Sequence, residues 1–254
     1  LIMSILHKQI ISIDRKEQLY FFIKKLNIDE AYISKIKNDN SNEINIINEA
    51  LTHTSANTLI NHEKLEFFGD AVLRLAATEF IENSFPTMKV GDRSALRSQL
   101  VSDEWLAKVG KSIGIENVLL LGSKASKDNC ALPTFQAEAT EALIGGLYQC
   151  INSLEPIHQW LNPHWEETSK SVLADPHKNN PKSALQEWSQ AQGMNMPEYK
   201  IEECSQEHGN PKRFFCTVNF SEKSIAKGWG GSRKDAEKEA AKAALDYLYQ
   251  IKKI

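Results

Sequence analysis

Cysteine is scarce in this chain, four in 254 residues. Cys130, Cys150, Cys204 and Cys216 are scattered without a CxxC pair, which argues against a zinc site and for reduced thiols. No run of apolar residues approaches the length of a membrane span. Leu1 to Ile13 is apolar in places, but His7, Lys8 and Gln9 interrupt it, and it has neither the core nor the cleavage site of a signal peptide. These absences set the expectation of a cytoplasmic protein with no membrane partner. Repeats and low-complexity tracts are missing as well. So is a strong net charge: the formal value is −3, which taken alone speaks against a polyanionic ligand.

That average hides an asymmetry. Residues 181–254 carry 12 Lys+Arg against 10 Asp+Glu, leaving 18 basic and 23 acidic residues in the rest of the chain. An acidic front and a mildly basic back suit a metal site joined to a module that binds a polyanion. The charged fraction (25%) and hydrophobic fraction (41%) are those of an ordinary folded protein.

The first two-thirds read as helical, with apolar residues at helical spacing around Arg15–Leu26, Glu30–Lys37, Glu43–Leu51, Glu63–Asn83, Gly91–Ile113, Pro133–Cys150 and Leu154–Leu173. The polar stretch Asp175–Pro181, bracketed by prolines, reads as a linker. After it, Pro181 opens a helix to about Gln192, and strand-like runs follow near Tyr199–Gln206, Arg213–Phe220 and Ser224–Trp229. Phe214, Cys216, Val218 and Phe220 alternate with polar neighbours, the period of a half-buried antiparallel strand. Gly230-Gly231 then breaks the pattern, and Ser232 caps an Ala- and Lys-rich helix to about Tyr249. The expected fold is an all-α domain over residues 15–173, a linker over 174–180, and a small α-β-β-β-α domain over 181–250.

The chemistry concentrates in His62-Glu63-Lys64-Leu65-Glu66-Phe67-Phe68-Gly69-Asp70-Ala71-Val72-Leu73. On a helix Glu63, Glu66 and Asp70 fall at i, i+3 and i+7 and share one face, while Leu65, Phe68, Val72 and Leu73 can face a core. A second pair, Glu138 and Glu141, lies in Ala137–Gly146 at i, i+3 among small residues that would let two helices approach closely. Stacked carboxylates repel unless a cation neutralises them, and Mg²⁺ takes oxygen ligands. Two facing helices could so hold a metal that activates water and offsets charge on a phosphodiester. Acids at helical spacing are also the ordinary composition of a solvated face, and spacing alone does not choose.

These strings resemble the ribonuclease III family, in its bacterial form of one catalytic domain followed by a double-stranded-RNA-binding domain. His62–Leu73 is similar to the family's ERLEFLGDAVL string, Ala50–Ser55 to its ALTHxS segment, Glu141–Gly146 to its EALIGA-type motif, and Gly91–Arg97 to an intervening helix start. The resemblance runs from about residue 15 to the C-terminus. It implies metal ligands at Glu63, Glu66, Asp70, Glu138 and Glu141, with Asp70 and Glu141 the catalytic pair, Mg²⁺ as cofactor and Mn²⁺ able to substitute. Two departures stand out. Glu138 occupies a position that is usually Asp, and Val90 stands where many members carry another acid. His62 reads as a surface or capping residue, and His53 as a packing one.

The helix–strand–strand–strand–helix order resembles a double-stranded-RNA-binding domain. A-form RNA is read through shape, 2′-hydroxyls and phosphates. Gln186 and Glu187 on the first helix would face the minor groove. Arg233, Lys234 and Lys238 would meet phosphates at the start of the last helix. The loop before Phe214 commonly carries a His. Here Asn210 precedes Pro211-Lys212-Arg213, with His208 two residues earlier, so Asn210, Lys212 and Arg213 are the loop's candidate contacts. The resemblance further implies a homodimer, cleavage of substrates such as ribosomal-RNA precursors and structured messages, and 5′-phosphate and 3′-hydroxyl ends with short 3′ overhangs. The rival reading is a nuclease-deficient homologue that binds structured RNA as a scaffold. It would account for Val90 and Glu138, but gives no reason to keep Glu66, Asp70 and Glu141 together.

Overall fold

The computed structural model describes residues 11–38, 42–174, 181–207, 209–220 and 223–251. Most of the linker expected over 174–180 and most of the Leu1–Ile13 stretch lie outside these residues, as does His208. The chain divides into two compact units, 1–170 and 171–254, the division falling within a helix that runs to Ala174.

The first unit is helical: α1 (Ile13–Ile23), α2 (Glu30–Ile36), α3 (Glu43–Ala50), α4 (Glu63–Ser84), α5 (Val90–Leu100), α6 (Asp103–Ile113), α7 (Leu132–Ile151) and α8 (Glu155–Ala174). The centre is α7, packed on α3, α4 and α6. Its composition explains that place: Ala137, Ala139, Ala142, Leu143, Ile144, Gly145, Gly146 and Leu147 are all buried, so it can be surrounded. Pro133 in its first turn needs no intrahelical partner for its missing N–H, and Asn152 ends it in the left-handed conformation at φ 57°. Trp165 of α8 is fully buried and stacks on Trp105 with centroids 5.9 Å apart, while its Nε1–H donates to the Leu100 carbonyl.

Two expectations needed correction. The helical segment at Gly91–Ile113 is two helices, broken at Val101-Ser102. Ser102 takes an extended conformation and its Oγ accepts from the Trp105 N–H. Asp103 and Glu104 follow it in the first turn, where the helix dipole favours them. Phe68 was expected in the core. It is 40% exposed, touching Tyr148 edge-on, and Phe67 is 85% exposed.

The second unit runs α9 (Pro181–Ala191), β1 (Glu198–Glu203), β2 (Phe214–Phe220), β3 (Lys223–Gly230) and α10 (Arg233–Ile251). The strands form an antiparallel sheet in the order β1-β2-β3, with Ile201 opposite Cys216 and Thr217 opposite Lys227. Phe214, Cys216, Val218 and Phe220 point into a core with Leu185, Ala236, Ala240, Ala241, Ala244 and Leu245. A register shift at Val218/Asn219 turns Asn219 inward as well. The Ala-rich face lets α10 lie against β3 so closely that a Cβ at Gly228 or Gly230 would overlap its backbone.

Candidate active site and nucleic-acid interface

The carboxylates expected to act together meet where α4 crosses α7. The crossing is close because Gly69 and Gly145 face the opposite helix. A Cβ at Gly69 would overlap the Glu141 carbonyl, and one at Gly145 the Leu65 carbonyl. Backbone contact at this point puts Glu66 and Asp70, on the exposed side of α4, beside Glu138 and Glu141, the polar strip of α7. Glu63, Glu66, Asp70, Glu138 and Glu141 all line one open cavity of about 590 Å³. His53, Thr54, His62, Phe67, Arg74 and Val101 complete its wall with one further acid, Asp103.

Among the described residues Arg74 is the single Lys or Arg in that wall, and its Nε–H is already given to Asp70 Oδ1 at 2.7 Å; Lys108 and Lys111 line the adjoining cavity that shares Glu66, Asp103, Glu138 and Glu141. The remaining acids repel one another. Glu141 is pushed up to about 8 by burial, then by the charges of Asp70, Glu66 and Asp103, and by a hydrogen bond shared with Asp70. Glu66 is raised by burial, then by Glu138, Glu63 and Asp103. Carboxylate oxygens crowded in this way, with Glu66 and Glu141 raised by burial and mutual repulsion, fit a hard divalent ion. Shifts of this size are common where groups are set for chemistry.

Two histidines close the inner end. His53 in the Ala50–Ser55 segment is 7% exposed. Its Nδ1 accepts from the Ser55 N–H (3.0 Å) and lies 2.7 Å from Ser55 Oγ, and its Nε2 lies 3.2 Å from Glu138 Oε2. His62 was expected at the surface or as a cap. It is 1% exposed and its side chain caps nothing; the Glu63 N–H is capped by Asn61 Oδ1 instead. Its Nε2 lies 3.1 Å from Glu66 Oε2 and 4.0 Å from Glu138 Oε2. Burial, then neighbouring His53, lowers its pKa to about 4, so the ring is neutral at pH 7.

Val90, where the resemblance places another acid, is 81% exposed and lines a separate cavity with Thr78, Ile81, Glu82, Arg93, Ser94 and Arg97. The extra carboxylate of this site is Asp103, which a single helix over Gly91–Ile113 would leave unremarked in mid-helix. Its signal was there in Ser102-Asp103-Glu104, a cap followed by acids.

In the second unit Glu187 is exposed and Gln186 half-buried on α9. Ser232 Oγ accepts from the Asp235 N–H and so caps α10. That leaves Arg233 and Lys234 exposed at its start, with Lys238 half-buried one turn on. The loop before β2 is more committed than expected. Asn210 Oδ1 accepts from the Lys212 N–H, its amide donates to Glu207 Oε2, and Arg213 is bound twice to Glu203 Oε1, at 3.0 and 2.8 Å. Lys212 is exposed.

Fold and site together define a helical, acid-lined nuclease-type domain followed by an RNA-binding module, and comparison with known proteins gives the same two parts. Residues 43–151 match the family model described as Ribonuclease-III-like, and residues 181–248 match the double-stranded RNA binding motif. A protein named Ribonuclease 3 from Prochlorococcus marinus is 56% identical over 239 residues, 94% of this chain and 96% of its own length. One named Ribonuclease 3 2 from Nostoc sp. is 37% identical, covering 91% of this chain and 92% of its own. Another from Gloeobacter violaceus, Ribonuclease 3, is 38% identical over 74% and 76%. The chain belongs to the ribonuclease III family.

Proposed function

We propose that this protein is an endoribonuclease that hydrolyses double-stranded RNA with a divalent cation, Mg²⁺ with Mn²⁺ able to substitute, held among Glu66, Asp70, Glu138 and Glu141. Glu63 stands at the rim of that set, and Asp70 and Glu141 are the catalytic pair. The observation that carries the reading is the convergence of these carboxylates on one open cavity in which, among the described residues, Arg74, already engaged by Asp70, is the single Lys or Arg. When bound, the cation supplies activation of water and neutralisation of phosphate charge.

The chain's own residues do the rest. Without a cation the cavity repels phosphate, so seating of the scissile bond is coupled to cation binding. Glu141 gives up the proton it retains near neutral pH, and neutral His62 adds no competing charge. The second unit supplies affinity independent of the cation, through Arg233, Lys234 and Lys238 at the start of α10 and Lys212 in the loop. Gln186 and Glu187 present hydrogen-bonding groups of α9 to the minor groove. Asn210 and Arg213 serve chiefly to hold the loop that carries Lys212. The exposed Phe67 beside the cavity supports a homodimer in which a second copy covers it and brings a second site to the other strand. Products with 5′-phosphate and 3′-hydroxyl ends, short 3′ overhangs, and substrates such as ribosomal-RNA precursors and structured messages follow from the same reading. All four cysteines are free thiols, which suits a cytoplasmic site of action. Among the described residues no helix is long and apolar enough to cross a membrane.

The test is cleavage of a long perfect RNA duplex with Mg²⁺, comparing the wild type with Glu141→Ala and mapping the product ends. Mg²⁺-dependent staggered cuts that the variant loses are the expected result. Duplex binding with no cleavage in Mg²⁺ or Mn²⁺ would overturn the reading in favour of an RNA-binding scaffold.

A further inference from the structure

We propose that His53 and His62 are positioning residues for this site: two imidazoles that each present an Nε2–H, His53 donating it to one oxygen of Glu138 and His62 turning it as a dipole toward one oxygen of Glu66, and leave the other oxygen of each to the cavity. The inference rests on the cation site described above and goes on to say what fixes its carboxylates.

The tautomer of His53 is set by its surroundings. A backbone N–H, that of Ser55, points at Nδ1 from 3.0 Å, so Nδ1 must offer a lone pair and the ring proton sits on Nε2, directed at Glu138 Oε2 3.2 Å away. His62 Nε2 lies 3.1 Å from Glu66 Oε2 and 4.0 Å from Glu138 Oε2, and its Nδ1 is buried with no hydrogen-bond partner among the described residues. A proton on Nε2 lies in the field of both carboxylates, nearer Glu66. A proton on Nδ1 would be a buried, unpaired donor, which costs more. The two rings pack against each other at 4.8 Å between centroids, and Phe135 covers His53 at 4.6 Å, so neither donor can swing away.

The competing reading is that His53, His62 and Glu138, whose ligand atoms lie within 4.8 Å of one another, themselves ligate a transition metal. An imidazole ligand needs a lone pair on the nitrogen facing the metal and an acceptor for its other N–H. Both rings have the opposite arrangement. As donors they suit an acidic site well. A lysine or arginine in their place would hold the same oxygens but cancel the charge that draws the cation. An imidazole N–H fixes a carboxylate without a permanent charge. Glu138 then has a reason to be longer than the usual Asp: a shorter side chain from the same backbone would fall short of His53 by up to about 1.5 Å.

Two measurements on the full chain test this. Two-bond ¹H–¹⁵N spectra of the metal-free protein, with the rings assigned by His53→Gln and His62→Gln, are expected to show both as Nε2–H tautomers. Either ring as the Nδ1–H form overturns the proposal. Calorimetric titration with Mg²⁺ supplies the second. Gln keeps a donor at similar reach and should hold affinity within about threefold. His53→Phe and His62→Phe keep the packing but not the donor, and should weaken it about tenfold or more. Phe variants that melt like the wild type in chelator and bind Mg²⁺ as tightly would overturn the proposal. Should they fail to fold, the wild-type tautomers still decide it. A wild type with no Glu141-dependent Mg²⁺ binding would instead sink the functional reading, whatever the tautomers show.

Discussion

Replacing Glu141 by Gln should make the metal-free protein more stable while removing its response to divalent cations. The Glu141 carboxyl is raised from 4.5 to about 8 by burial and by Asp70, Glu66 and Asp103. A carboxyl with a raised folded-state pKa binds more protons folded than unfolded between those values. Unfolding free energy therefore falls as pH climbs from about 4.5 to about 8, by at most about 1.4 kcal/mol per pH unit. Taken in full the shift would be worth nearly 5 kcal/mol. The cavity is open and water screens the charges, so about 1–3 kcal/mol is the reasonable expectation. In a unit of this size that corresponds to a fall of roughly 3–10 °C in melting temperature.

The assay is thermal unfolding followed by helical circular dichroism in chelator, from pH 5.5 to 8.5, repeated with saturating Mg²⁺. Relative to Glu141→Gln the wild type should lose stability as pH rises, the opposing contribution of His62 being common to both, and Mg²⁺ should restore it. The first unit of Glu141→Gln should show a shallower slope, melt higher than the wild type at pH 8 in chelator, and gain little from Mg²⁺. A wild type whose melting temperature follows pH with the same slope as Glu141→Gln, or a variant less stable than the wild type at pH 8 without metal, would refute the reasoning.

Gly69→Ala should destabilise the first unit by about 1–3 kcal/mol through overpacking against the Glu141 carbonyl, and lower Mg²⁺ affinity although no ligand has changed; denaturant melts and calorimetry read the two effects. Asp103→Asn removes one of the charges that raise Glu66 and Glu141, so both carboxyls should titrate at lower pH by ¹³C NMR, and unchanged titrations would show Asp103 to be a bystander. Arg233→Ala and Lys234→Ala should each weaken binding of duplex RNA irrespective of its sequence. Each should also make the log–log salt dependence shallower by just under one, the loss of a single phosphate contact measured by filter binding at several salt concentrations.

The architecture was readable wherever a period persisted. Phe214, Cys216 and Val218 alternate strictly and form the central strand, and α4 and α7 were expected within two residues of their ends because their apolar spacing is long and their flanks carry turn signals. The break at Ser102 was hidden because Leu96, Leu100, Trp105 and Leu106 keep a plausible helical spacing through it. A cap is a local signal that a periodic reading averages away. The carboxylates of the site lie at spacings legible on each helix separately. What brings the two helices together, Gly69 against Glu141 and Gly145 against Leu65, is a pairing across 72 and 80 positions that no local pattern encodes. The roles of His53 and His62 were missed for a similar reason. Their protonation follows from Ser55, Glu66 and Glu138 in space, whereas a histidine just ahead of a helix looks, in sequence, like an exposed residue or a cap.

The glycine contact between α4 and α7 also governs how this protein can change. Packing and chemistry are fastened at the same seam, so fold stability and cation preference are not independent traits. A substitution that loosens the seam to relieve strain moves Asp70 and Glu141 apart, and one that tightens it drives like charges together. Variation in metal preference should therefore enter from the periphery, at positions such as Asp103 that reach the cavity from a third helix and can be altered without disturbing the crossing. Selection for stability alone should leave the two glycines untouched.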